Sequence, residues 1–110
     1  MNDRELLELA ARAAGFKPTS YCDEEGLFLN DQNPDYGFDW WNPLTDDGDA
    51  LRLAVKLDIH ISLYGKDTGI TTWIVREEAE SFHADYGDDP CCSVRRAIVR
   101  AAAEIGGNMP

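Results

Sequence analysis

Three stretches of the chain repeat their apolar residues at a helical period, and the segments between them alternate or run short, as strands do. Leu6, Leu9, Ala10 and Ala13 form the first helical stripe, Ala50, Leu53, Ala54 and Leu57 the second, and Val94, Ala97, Ile98, Ala101 and Ile105 the third. After Leu57 the period falls to two: Ile59, Ile61 and Leu63 point one way, His60, Ser62 and Tyr64 the other. Ile70 to Arg76 is rich in β-branched residues and reads as the returning strand of a hairpin, with Gly65 to Gly69 as its loop. Ser81 to Tyr86 alternates again and predicts a third strand, and Gly26 to Asn30 predicts a brief strand near the N-terminus.

The helix ends carry their own signals. Asn2 and Glu5 have capping-box spacing, and Gly15 followed by Pro18 predicts the stop of the first helix. Asp88-Asp89-Pro90 predicts an acidic cap with proline at the first helical position of the last helix, which Gly106-Gly107 is expected to end. The second helix starts inside WNPLTDDGDALRLAVKL, residues 41–57. There Thr45 or Asp46 can cap the free amides, and Leu44 is placed to pack over the first turn. Leu51 and Val55 are expected to widen its apolar face, with Asp49, Arg52 and Lys56 opposite. Capping accounts for the acids of this run without any chemistry.

In order, the elements are helix, strand, helix, hairpin, strand, helix. That order predicts an α/β fold, an α-β-α sandwich around a small, mainly antiparallel sheet, in one domain spanning residues 1–110. Asp31 to Pro43 is expected to be a loop, rich in turn formers yet carrying Tyr36, Phe38, Trp40 and Trp41. Aromatics at that density fold back on a core or cover a partner.

Charge sharpens this picture more than composition does. Twenty-one acids against ten bases give a net charge of −11. Such a field repels nucleic acid and anionic membrane and attracts basic protein surfaces. Between Lys17 and Arg52 no base occurs, but Asp23, Glu24, Glu25, Asp31, Asp35, Asp39, Asp46, Asp47 and Asp49 do. Between Arg76 and Arg95 the pattern recurs with Glu77, Glu78, Glu80, Asp85, Asp88 and Asp89. Two readings compete: solubility, or a surface of spaced carboxylates offered to a basic groove, as a nucleic-acid mimic would offer them. Arg95, Arg96 and Arg100 are expected to pair with acids of the chain rather than with phosphate. No stretch approaches the ~18 apolar residues of a membrane span. The N-terminal segment has acids in its first turn and reads as neither signal nor transit peptide. The three cysteines, an odd number without an export signal, read as reduced thiols of a cytosol.

Candidate chemistry is thin. Asp46, Asp47 and Asp49 lack the downstream acid of an EF-hand loop. Cys22, Cys91, Cys92, His60 and His83 supply zinc-ligand types but no C-x-x-C or H-x-x-x-H spacing. Neither set supports a metal, and no cofactor motif is present. His60 and His83, beside Ser62 and Asp85, are expected to share a polar sheet face, where a surface histidine is commoner than a proton shuttle.

In WNPLTDDGDALRLAVKL and again in RRAIVRAAAEIG, Arg95 to Gly106, the chain resembles a family of short phage and prophage proteins, the phage ABA sandwich domain. MNDRELLELAARAAG fits the N-terminus of that family as well, whereas Gly15 to Trp40 and Cys91-Cys92 have no match in it. The resemblance implies an α-β-α sandwich encoded by a tailed phage or prophage and working in the bacterial host cytoplasm. It implies no catalytic residues.

The leading expectation is therefore a non-enzymatic acidic phage protein that binds a host protein and inhibits a host defence, in the manner of an anti-CRISPR. Its partner is expected to be a nucleic-acid-binding defence complex, with no direct contact to nucleic acid or membrane. Asp35, Asp39, Asp46 and Asp47, with Trp40 and Trp41 as apolar anchors, are the expected partner-binding residues. Two rivals stand beside it. One is a replication or regulation factor acting through self-association; the other is a small-ligand binder or enzyme using the His60 and His83 face.

Overall fold

The computed structural model describes residues 2–29, 40–63, 70–74, 81–84 and 89–109, with the backbone alone at 62–63, 70–74, 81–84 and 90. Asp31, Asp35, Asp39, Tyr36, Phe38, Tyr64, Arg76, Asp85, Asp88, the 65–69 loop and the acids at 77, 78 and 80 lie outside the described residues.

Helix α1 spans Asp3–Ala14. Asn2 caps it, its side chain accepting the Glu5 amide at 2.8 Å, and Gly15 ends it at φ +84°, where a side chain would be strained. Strands β1 (Ser20–Cys22), β2 (Gly26–Phe28) and β3 (Trp40–Trp41) then form an antiparallel sheet in the order β1-β2-β3. Helix α2 spans Asp47–Lys56. It leads into a second antiparallel sheet of β4 (Ile59–Leu63), β5 (Ile70–Ile74) and β6 (Ser81–Ala84), in that order. Helix α3, Pro90–Gly107, closes the chain.

The mixed α/β fold, with helices on a small antiparallel sheet, is the one expected from the sequence. The first sheet adds to it. Only β2 was expected there; β1 and the two residues of β3 carry no alternation long enough to read. β3 pairs Leu27 with Trp41 and Phe28 with Trp40, so part of the expected aromatic loop is a strand. Gly26 makes the pairing possible. A β-carbon on it would stand 2.4 Å from the Trp41 carbonyl oxygen, and its φ is +91°.

α3 is the central element, packing on α1, on α2 and on the second sheet. It is accordingly buried more widely than one stripe. Val99, Ala102 and Ala103 are buried along with the expected Ala97, Ile98 and Ala101, while Val94 and Ile105 are half-buried. Alanines dominate the α1–α3 contact, with Ala10, Ala11 and Ala14 fully or almost fully covered, and small side chains let the two helix backbones approach closely. α3 ends at Gly107, at the expected glycine pair, and Gly106 in its last turn packs its backbone on the Leu9 carbonyl of α1. Leu7, Leu27, Leu29 and Val99 are among the largest fully covered side chains of the described residues, each contributing ~1.5–3 kcal/mol by burial.

Two expectations for α2 are corrected. Leu51 and Val55 do not widen its buried face; they are 62% and 69% exposed, and the apolar residues the helix buries are Ala50, Leu53 and Ala54, with Leu57 at its C-cap. Asp49 is not on the solvent side but 7% exposed, turned toward the loop that enters the helix.

Candidate binding surface

The entry to α2 is built around two polar groups that the core covers, Asn42 and Asp49. Asn42 closes a turn: its carbonyl accepts the amides of Thr45 and Asp46, and its side-chain oxygen accepts the amide of Leu44 at 3.1 Å. The Asn42 amide in turn donates to Asp49 Oδ2 at 3.0 Å. Arg52, one turn along the helix, donates to Asp49 Oδ1 at 2.8 Å. Both Asp49 oxygens and the Asn42 amide, carbonyl and side-chain oxygen thus have partners, which is the condition for burying them. Of the two expected caps, Asp46 is the one used; its Oδ2 accepts the Asp49 amide at 2.8 Å.

Asp47 meets a different arginine. Arg95, on the first turns of α3, donates from Nε to the Leu44 carbonyl at 2.9 Å and from Nη1 to Asp47 Oδ1, with Asp89 3.8 Å from Nη2. Its guanidinium ties the starts of α2 and α3 together, and the hydrogen bond it donates to Asp47 raises its pKa above the ordinary value. Asp89 caps α3, accepting the Cys92 amide at 3.2 Å. Arg96 holds Asp3 of α1 at 2.9 Å. The expectation that these arginines engage acids of the chain is met at Arg95 and Arg96.

The acids of the α2 entry therefore divide. Asp49 is internal, Asp46 lies 3.7 Å from Arg52, and Asp47 is bound to Arg95 while keeping 73% of its side chain exposed. Asp23, Glu24 and Glu25 stand apart from this network. They form the exposed turn between β1 and β2, just ahead of Gly26, which itself lies close to the Asn42 side chain. Partial burial, then the hydrogen bond and charge of Asp23, raise the Tyr21 phenol above its ordinary value.

The two tryptophans also part company. Trp41 is 3% exposed and packs edge-on against Phe16, ring centroids 5.6 Å apart, so it serves the core and presents nothing to a partner. Lys56 covers the other partner of that pair, its Nζ 4.9 Å from the Phe16 ring. Trp40 faces outward at 37% exposure and leans edge-on against Phe28 at 5.0 Å. Alternation along a strand sends adjacent residues to opposite faces, and this could have been read from the sequence only if β3 had been recognised as a strand.

On the second sheet, Ile59 is buried and His60 exposed, as the alternation predicts. The register sets Ser62 and His83 both opposite Thr71, and His60 opposite Trp73 in the row two residues along. Cys22, Cys91 and Cys92 are free thiols, the last two exposed. Among the described residues, no group of three or more His, Cys, Asp or Glu side chains is arranged to hold a metal, and no helix is long and apolar enough to cross a membrane.

No family model, curated protein or solved structure matches the chain.

Proposed function

We propose that the chain is a non-enzymatic acidic protein, made by a phage, that binds a basic, nucleic-acid-handling protein of its bacterial host and so inhibits a host defence. The observation that carries this reading is the exposed Asp23-Glu24-Glu25 turn, on the same small sheet as the outward Trp40. Exposed carboxylates with an aromatic anchor suit a basic protein surface, and at a net charge of −11 they repel nucleic acid itself. The phage origin rests on the resemblance in the two quoted stretches, and the defence role on that resemblance together with the small single domain and the two base-free acidic blocks.

Charge reversal tests the reading, and the ion pairs decide where to place it. Lysine at Asp47 would face Arg95 and disturb two helix starts, so it tests the fold as much as the surface. Glu24→Lys with Glu25→Lys is the cleaner variant, and Glu5→Lys with Glu104→Lys is a control of equal charge on α1 and α3. Affinity purification from host lysate is expected to recover a basic nucleic-acid-handling protein with the native chain and the control. The turn variant is expected to lose it, and DNA and added salt to compete, because exposed charges are screened beyond ~8 Å at physiological ionic strength. Capture indifferent to the turn variant and to salt would leave the acidity to solubility alone.

A further inference from the structure

Cys91 and Cys92 are neighbours in the chain, and both are exposed free thiols. They follow Pro90 in the first turn of α3, and the cap holds that turn. Asp89 accepts the Cys92 amide through its side chain and the Ser93 amide through its carbonyl, each at 3.2 Å. Its carboxylate also lies 3.8 Å from Arg95 Nη2. Helical backbone keeps the two sulfurs from joining. Adjacent side chains diverge by about 100° around a helix. Adjacent α-carbons stand ~3.8 Å apart, where a disulfide takes ~4.4–6.8 Å. A bond between these neighbours and the capped helical turn therefore exclude each other.

The chain can give up that turn at little loss. The first amides of a helix have no partner inside it, and the proline has no amide at all. Cys91 and Cys92 cover no core, and the first buried residue described in α3 is Ala97. Arg95 keeps the Leu44 carbonyl and Asp47, so the starts of α2 and α3 stay tied. We propose that Cys91 and Cys92 are a redox switch: a hydroperoxide oxidises them to a disulfide between neighbours, which undoes the first turn of α3 and releases Asp89. One thiol takes an oxygen from the hydroperoxide and becomes a sulfenic acid, while the hydroperoxide leaves as water or an alcohol. The neighbouring sulfur then displaces that oxygen as a second water, and the S–S bond forms. Two electrons and two protons pass in all from the thiols to the oxidant. Charge favours this route over the others. A hydroperoxide is neutral, whereas a second copy of a chain carrying −11, or an acidic small thiol, is repelled. A disulfide closed outside its ordinary geometry is strained and easily reduced, so a dithiol resets the switch. This device is independent of what the chain binds.

The test treats the isotope-labelled chain with hydrogen peroxide at equal concentration, then blocks free thiols by alkylation. The tryptic peptide that ends at Arg95 carries both cysteines. It is expected to lose two hydrogens and to escape alkylation, and dithiothreitol is expected to restore it. The amides of residues 89–95 are expected to shift on oxidation and those of residues 97–107 to hold their places. With the cap lost, the thermal midpoint is expected to fall by roughly 5 °C and to recover on reduction. Cys91→Ser and Cys92→Ser, each confirmed as folded by circular dichroism, are expected to lose the disulfide product and that reversible fall. Thiols that stay open to alkylation, or that take up oxygen without joining, overturn the proposal. So does a disulfide that links two chains or reaches Cys22. A Cys91–Cys92 bond that leaves the amides of residues 89–95 unmoved overturns it too, since the helix start would then accommodate the bridge.

Discussion

Gly106 of α3 packs so closely on Leu9 of α1 that a β-carbon at Gly106 would stand 1.9 Å from the Leu9 carbonyl oxygen. No rotamer change relieves that overlap, because both partners are backbone. Gly106→Ala must push the two helices apart along an interface of fully covered alanines, and is expected to cost about 3 kcal/mol, the upper end for overpacking. Gly107, its neighbour, has nothing within 4 Å of a β-carbon and lies in the helix. Gly107→Ala is expected to stabilise by up to ~1 kcal/mol, as alanine does for glycine in a helix. Urea denaturation of the two variants should give opposite signs; equal effects would remove the close-packing account.

At the start of α2, Asp46 accepts the Asp49 amide through its side chain. Asp46→Asn keeps that acceptor and is expected to retain most of the stability, while Asp46→Ala is expected to lose ~0.5–2 kcal/mol. Asparagine also gives up the 3.7 Å approach to Arg52, but this pair is exposed on the Asp46 side and contributes little. Thermal unfolding of the two variants decides between a cap and a charge; indistinguishable midpoints would mean the side chain does not cap.

The chain disclosed its helices more fully than its sheets, for a physical reason. Caps such as Asn2, Asp46, Asp89 and Gly15 are local, and their chemistry is written in adjacent residues. The pairing of β3 with β2 is not local, since two residues cannot display a period, and so Trp41 was expected at the surface although it is in the core. Asp49 was misplaced because its burial depends on the Asn42 amide and on Arg52, which a helical wheel cannot show. Gly106-Gly107 marked the end of α3, but the close approach of Gly106 to Leu9 is a tertiary fact that the local sequence does not carry. Of the expected binding residues, Asp46 and Asp47 proved to be exposed but engaged, and Trp40 outward.

Asp49 supplies the third prediction. Its two oxygens accept from the Asn42 amide and from Arg52, with almost no access to water. Asp49→Asn places an NH2 group against one of those two donors, and is expected to cost ~1–3 kcal/mol by leaving a covered polar group unsatisfied. A double-mutant cycle with Arg52→Ala should show that the two positions do not add. Additive losses would mean that the Asp49–Arg52 hydrogen bond contributes nothing of its own.

Asp58 carries two unfavourable features at once. Its φ of +55° lies in the left-handed region, where a side chain is strained. Its carboxylate follows the C-terminus of α2, where the helix dipole disfavours negative charge. Asp58→Asn removes the charge alone and is expected to stabilise by ~0.3–1 kcal/mol at low salt, an effect that should shrink as salt is added. Asp58→Gly also relieves the backbone, so its gain should be at least as large and should persist in salt. Asp58→Val, with a branched side chain at the same φ, should instead destabilise. Thermal unfolding at low and high salt separates the two contributions, and a salt-insensitive Asn variant would remove the dipole account. The aspartate thus stands where local structure favours glycine or asparagine.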